Sequence, residues 1–168
     1  MHGTLQGSRA RDRAYPRQRA CLEHHPPHAG DAVTTRILDA GVAVAWYLRE
    51  ACSEKALRWQ RRMASRQVRF LVPRLHYLEV ANVFRTHVRQ GEITPATACS
   101  CYALHLEAPL DIADPAREDI LATALEYEAT AYDAVYIALA LAHDAPIVTA
   151  ERATTPWVAK LGSLAEPL

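Results

Sequence analysis

Nothing in the composition leans toward one sign of charge: 19 lysines and arginines balance 19 aspartates and glutamates across 168 residues. A net charge of zero neither demands nor excludes a nucleic-acid partner. Long apolar runs are missing too. None approaches the roughly 18 residues that would cross a bilayer, so no membrane association is expected. The first 30 residues hold arginines but no apolar leader segment, which argues against secretion and makes the cytoplasm the expected location. Cys21, Cys52, Cys99 and Cys101 show no Cys-x-x-Cys spacing and no histidine partners at zinc-finger spacing, so plain thiols in a reducing compartment are expected. Glycine-rich phosphate cradles are also lacking. There is no Gly-x-Gly-x-x-Gly and no P-loop, which removes the usual nucleotide-binding classes.

What is present is half hydrophobic and 23% charged, the balance of a soluble globular domain long enough to bury a sizeable core. Residues 1–34 stand apart. They carry five Arg, four His, three Pro and three Gly with almost no large aliphatics, so they are expected to form a disordered N-terminal extension. The domain proper is expected over 35–168. There, "RILD" reads as a strand, followed by a turn at Asp39 to Gly41 and an apolar helix. "SEKALRWQRRMASRQ" reads as a helix with Ser53 as its N-cap and a dense arginine face. "RFLVP" is a second strand, and Pro73 opens a helix that Gly91 ends. Thr94 and Pro95 start another, running to about His105. "PLDIA" is a weak third strand, Pro115 begins a helix to about Glu128, and "AYDAVYIALALAH" is a helix over 131–143 whose Tyr132, Val135, Tyr136, Ile137 and Leu139 read as buried. "APIVTAE" is the last strand, with "TPWVAKLG" closing the chain. Strands alternating with helices predict an α/β fold, a mostly parallel central sheet with helices on both faces.

Carboxylates fall at telling places in this pattern. "RILD" ends on Asp39 and "IVTAE" on Glu151, and in an open parallel sheet the carboxyl ends of the strands border the ligand crevice. Asp133 lies in the first turn of a helix entering from that side. Glu79 sits in "LEVANVF", where Leu78, Val80, Ala81, Val83 and Phe84 read as core, and Asn82 shares its helix face. Each acid also has a structural reading. Asp39 can cap the next helix, Asp133 forms a Thr-x-x-Asp capping box with Thr130, Glu151 can be a surface residue, and Glu79 can pair with Arg74. Together they say more. Four carboxylates converging at roughly 5 Å repel by roughly 3 kcal/mol per pair at an effective dielectric of ~20, which a fold tolerates only with a cation or a shared proton. Oxygen ligands without His or Cys suit Mg²⁺ or Mn²⁺ rather than zinc, and such sites typically act on phosphates.

These segments resemble the PIN-domain ribonucleases, above all the VapC-type toxins of prokaryotic toxin–antitoxin pairs. "ILDAGVAVAW" resembles the family's opening strand and first acid, and "VPRLHYLEVANVFR" the segment with its helical Glu. "TAYDAVYIALA" followed by "APIVTAE" resembles the third acid and the terminal strand with the fourth. The likeness covers about residues 35–165. It implies an α/β/α sandwich, Mg²⁺- or Mn²⁺-dependent RNA cleavage, a homodimer and a cognate antitoxin. It also implies Asp39, Glu79, Asp133 and Glu151 as the metal-holding acids, with Asn82, Thr130 and Thr149 as supporting polar groups. Two departures stand out. Gly41 occupies the position where the family usually has a serine, and Glu151 replaces the usual aspartate.

Arg58, Arg61, Arg62, Arg66 and Arg69 form a basic stretch able to hold RNA phosphates, with Trp59 and His76 as stacking candidates; the same stretch also reads as a solvated helix face. Other α/β classes fit worse. A haloacid-dehalogenase-like phosphatase wants Asp-x-Asp after the first strand, and the chain has Asp39-Ala40-Gly41. A response-regulator receiver wants a phospho-acceptor Asp at a central strand end and a late Lys, which "RFLVP" and "APIVTAE" do not supply. Two rivals remain open: a PIN-like RNA-binding or protein-interaction module without cleavage, and a stand-alone RNA-processing nuclease.

Overall fold

The computed structural model describes residues 33–168. Five strands are present among them: β1 (Thr34–Leu38), β2 (Val68–Val72), β3 (Asp111–Ile112), β4 (Ile147–Thr149) and β5 (Ala165–Pro167). They form one sheet in the order β3-β2-β1-β4-β5, every pairing parallel. Seven α-helices connect and cover them: α1 (Ala40–Val44), α2 (Ser53–Ala64), α3 (Leu75–Arg89), α4 (Pro95–Leu106), α5 (Arg117–Tyr127), α6 (Ala131–His143) and α7 (Pro156–Leu161).

The strand period of two decides which side chain serves which face. Leu38, Phe70, Val72 and Val148 join a core with α1, α2, α3 and α4. Their strand neighbours Ile37, Leu71 and Ile147 point the other way, into a core with Tyr136, Ile137 and Leu139 of α6 and Trp157, Val158 and Leu161 of α7. Two apolar layers on one sheet make the α/β/α sandwich. They also explain why the central strands read as near-continuous apolar runs.

Local signals place most elements. Asp39 caps α1, Thr94 caps α4 with Pro95 just inside, and Thr130 caps α6. Gly91 takes a φ of +72° just past α3, where a residue without Cβ ends a helix most easily. Several expectations need correction. Ser53 is the first residue of α2 and not its cap. Its hydroxyl donates to the Leu48 carbonyl at 2.9 Å and accepts from the Glu50 amide at 2.8 Å, tying the α1–α2 connection instead. Leu78 is 69% exposed and Tyr132 63% exposed, so neither belongs to the core. β5 was not expected at all. It lacks β-branched and aromatic residues, and it ends in a proline that only an edge strand accommodates. The expected extension over 1–34 lies outside the described residues except for Val33 and Thr34, and Thr34 already pairs with Val68 in β1.

Within the α1–α4 layer lie two fully buried histidines, His76 of α3 and His105 of α4, with their Nε2 atoms 3.1 Å apart. Burial, then the neighbouring ring, pushes His76 down to about 3, and burial pushes His105 down to about 4. Both folded-state values lie below the unfolded value of 6.5. The pair therefore supports the fold fully above about pH 6.5, and that support is lost as pH falls toward 4 and below. In an NMR titration both ring resonances should stay fixed from about pH 8 to about pH 5, where an ordinary imidazole would change charge. Movement of either through that window would contradict a neutral buried pair.

Candidate active site

β1 and β4 lie side by side at the centre of the sheet, and their carboxyl ends meet at Asp39. Its amide donates to the Val148 carbonyl at 3.1 Å. Its carboxylate accepts from three donors: the Gly41 amide at 3.2 Å, the Thr149 hydroxyl at 2.7 Å and the Ala150 amide at 3.3 Å. Those hydrogen bonds favour the ionised form. Burial nevertheless outweighs them and raises the carboxyl above its ordinary range, with a further push from the charge of Asp133.

Asp133 sits in the first turn of α6, inside the capping box that its spacing predicts. Its amide donates to the Thr130 hydroxyl at 3.1 Å, and that hydroxyl donates back to its carboxylate at 2.8 Å. Cap and crevice coexist: Asp133, Asp39, Tyr136, Ile147 and Trp157 line a small cavity of about 10 Å³, on the scale of a single water. Glu79 approaches from α3. Burial raises its carboxyl, and the charges of Asp39 and then Asp133 raise it further. Its Oε2 accepts a 2.5 Å hydrogen bond from the Tyr136 hydroxyl. Asp39, Glu79 and Asp133, distant in sequence, thus stand in one another's electrostatic field.

The other expected residues divide. Thr149 is fully buried and holds Asp39. Glu151 is exposed and turned into its own loop, where its carboxylate accepts from the Thr155 hydroxyl at 3.1 Å. It does not join the other three acids. Asn82 is exposed on α3, and its side chain makes no hydrogen bond among the described residues. Arg74 does not pair with Glu79; it pairs with Asp114, which also accepts from the Arg74 amide at 2.9 Å. No Lys, Arg or His forms an ion pair with Asp39, Glu79, Asp133 or Glu151 among the described residues. At Gly41 an added Cβ would come within 3.3 Å of the Ala150 Cβ, so a serine there would require a small shift of the loop after β4. Sequence reasoning missed Tyr136 as a site residue. Its position three residues after Asp133, and hence on the same helix face, was the available signal.

The basic stretch divides as well. Lys55, Arg58, Trp59 and Arg62, spaced to share one face of α2, line a groove of about 350 Å³ with Pro167 and Leu168 at the end of β5. The Arg62 guanidinium lies 4.3 Å over the Trp59 ring. Arg61 and Arg66 are exposed and do not line the groove, and Arg69 pairs with Asp111 at 2.5 Å. His76, once a stacking candidate, is fully buried and unavailable to a base.

The PIN domain family model matches residues 36–154, a span that runs from the middle of β1 through β4 and holds Asp39, Glu79, Asp133 and Glu151. The chain belongs to the PIN-domain family. Among solved structures, this PIN domain is similar to the crystal structure of PAE2754 from Pyrobaculum aerophilum. The TM-score is 0.59 and the identity 21%, over 84% of this chain and 90% of that one, which is a likeness of fold. No curated protein matches the chain.

PIN domains are generally metal-dependent nucleases that use Mg²⁺ or Mn²⁺. The residues suit such an ion in chemistry: Asp39, Glu79 and Asp133 offer oxygen donors, Asp39 and Glu79 are raised partly by neighbouring acids, and no ion pair with a cation relieves them among the described residues. They are spread around the crevice rather than gathered, and among the described residues no three acidic, His or Cys side chains form a ready cluster. The sign of the shift gives a test. A carboxyl raised in the folded state costs stability once pH exceeds its folded value, so at neutral pH Glu79 disfavours the ion-free fold. Glu79→Gln keeps an oxygen for Tyr136 and removes the charge. It should raise the ion-free Tm at neutral pH. Mn²⁺ should raise the Tm of the unaltered protein at neutral pH, less at acidic pH, and hardly at all in the variant. Calorimetry with and without EDTA checks all three.

Proposed function

We propose that this PIN domain is a Mg²⁺- or Mn²⁺-dependent endoribonuclease acting as the toxin of a type II toxin–antitoxin pair. The observation that carries the nuclease reading is the mutual field of Asp39, Glu79 and Asp133 at the carboxyl edge of the sheet, where no basic side chain among the described residues forms an ion pair with them. A bound cation would neutralise charge on the phosphodiester and its leaving oxygen and acidify an attacking water. The protein's own share is placement. Asp39, Glu79 and Asp133 would hold the ion, while Thr149 and Thr130 fix two of those carboxylates in orientation and Trp157 and Ile147 make the apolar wall of the crevice. Glu151 would serve as the fourth acid only on leaving Thr155. The cytoplasm, a homodimer and an antitoxin partner belong to the same proposal and rest on the resemblance to VapC-type toxins.

RNA lies, on this reading, with its phosphates along the α2 groove. Lys55 and Arg62 have no acidic partner among the described residues, and Arg58 has only exposed Glu54 at 3.4 Å. Unpaired bases are the expected target, since they are what proteins read in RNA. The rival reading, an RNA-binding or protein-interaction module without cleavage, is favoured by one observation, the turn of Glu151 away from the other acids.

Cleavage of total RNA separates the two. Cutting should require Mg²⁺ or Mn²⁺ and stop in EDTA. Asp39→Asn or Asp133→Asn should reduce it by roughly 10²-fold or more, the scale of losing one preorganised electrostatic group. Folded protein that cuts nothing under either ion would leave the binding module as the function. The groove has its own check, on Asp133→Asn protein in EDTA with single-stranded RNA. Lys55→Ala and Arg62→Ala should each weaken binding and flatten the dependence of log affinity on log salt by about 0.7. An unchanged slope would place the phosphates elsewhere.

A further inference from the structure

Behind Glu79 a line of polar side chains runs from Tyr136 of α6 into the apolar α1–α4 layer. The Tyr136 hydroxyl lies 2.5 Å from Glu79 Oε2 and 3.4 Å from His76 Nδ1. His76 Nε2 is 3.1 Å from His105 Nε2, and His105 Nδ1 is 3.4 Å from the hydroxyl of Tyr47, just after α1. Tyr136, His76 and His105 are buried and Tyr47 partly so. Among the described residues no buried side-chain nitrogen or oxygen lacks a partner, so the line is fully connected. Four polar groups in a core are costly to desolvate, and a network of this kind is tolerated only when every member is satisfied.

His76 also bonds to the backbone of Leu38, and one direction of the hydrogens satisfies the side-chain contacts beside it. A carboxylate ionised to hold a cation can only accept, so the single hydroxyl hydrogen of Tyr136 goes to Glu79. The Tyr136 oxygen must then accept, which makes His76 Nδ1 an N–H. A neutral imidazole carries one N–H, so His76 Nε2 is bare and takes its hydrogen from His105 Nε2. His105 Nδ1 is bare in turn and accepts from Tyr47. A second proton on either ring would set two N–H groups against each other at 3.1 Å, and burial of both rings disfavours that proton as well.

We propose that Tyr136, oriented by the His76–His105 pair and Tyr47, is a positioning residue for Glu79: it occupies Oε2 and reserves Oε1 for the cation. This rests on the reading of Glu79 as a metal-holding acid. Oε1 has no hydrogen-bond partner among the described residues. Groups that orient a metal-binding side chain from behind typically change affinity by about 10- to 100-fold when removed.

Two measurements on the full chain decide it. The ¹⁵N resonances of the unaltered protein at neutral pH should show His76 as the Nδ1–H tautomer and His105 as the Nε2–H tautomer; the reverse assignment on either ring overturns the proposal. Mn²⁺ affinity, read from water-proton relaxation, should fall about 10- to 100-fold in Tyr136→Phe. Unaltered Mn²⁺ affinity in a folded Tyr136→Phe protein overturns the proposal. If the unaltered protein itself takes up no Mn²⁺, the metal reading of the site falls and the role toward a ligand falls with it, while the tautomers still report whether the directed chain exists. Should Tyr136→Phe fail to fold, the tautomer assignment alone confirms or overturns the direction on which the proposal stands.

Discussion

The hydrogen bond from the Thr149 hydroxyl to the Asp39 carboxylate joins the ends of the two central strands at the point where the crevice opens. Everything that faces the crevice is positioned relative to that junction. Asp39 serves it twice, capping α1 through the Gly41 amide and receiving the Ala150 amide from the loop after β4. The arrangement fixes one carboxylate within about a rotamer's freedom before any ion or substrate arrives, which is the preorganisation that charge-stabilising sites depend on.

That fixing carries an electrostatic penalty. Asp39 and Glu79 are both held above their ordinary carboxyl range, burial being the larger cause in each and the neighbouring acids the smaller. A fold optimised for stability alone would place an arginine beside them, and the chain has arginines within reach of the sheet edge. Arg74, at the entrance to Glu79's own helix, is directed to Asp114 instead. Arg36 pairs with Glu166 at 2.9 Å, two strands over, and Arg69 with Asp111. Each of these cations is neutralised by an acid that plays no part in the crevice, so the crevice keeps its negative field. At neutral pH the raised carboxyls disfavour the ion-free fold, as expected where chemistry rather than packing sets the sequence.

Much of this was legible in the residues. Ile37, Leu38, Phe70, Val72, Ile147 and Val148 sit in runs too apolar for a strand with one wet face, and that dictates a sheet covered on both sides. Asp39 and Asp133 were legible because capping chemistry has short, local spacing. Glu79 was legible because an acid within an apolar helix demands an explanation. The rest depended on distance in space. Nothing near Ala165 signals a strand, because β5 exists through its pairing with β4 and not through its own propensity. Leu78 and Tyr132 were misjudged because residue type was read without helix phase. The two histidines were invisible as a pair, since 29 positions separate them and only the packing of α3 on α4 brings the rings together. Glu151 was expected to end its strand, but β4 stops at Thr149, and the loop beyond turns the Glu151 side chain toward Thr155, a choice that no spacing encodes.

The two margins of the sheet differ from its centre. β3 contributes only two residues, and Asp111 there is engaged by Arg69. β5 ends in Pro167, which has no amide hydrogen to offer. Short, charged or proline-bearing margins of this kind resist the addition of further strands. A protein that associates with this domain therefore meets helices and loops rather than an open ladder, and its recognition must be written in side chains, not in main-chain hydrogen bonds. The domain can accordingly change partners by surface substitution on its helices while the strands that carry Asp39 and Thr149 stay as they are.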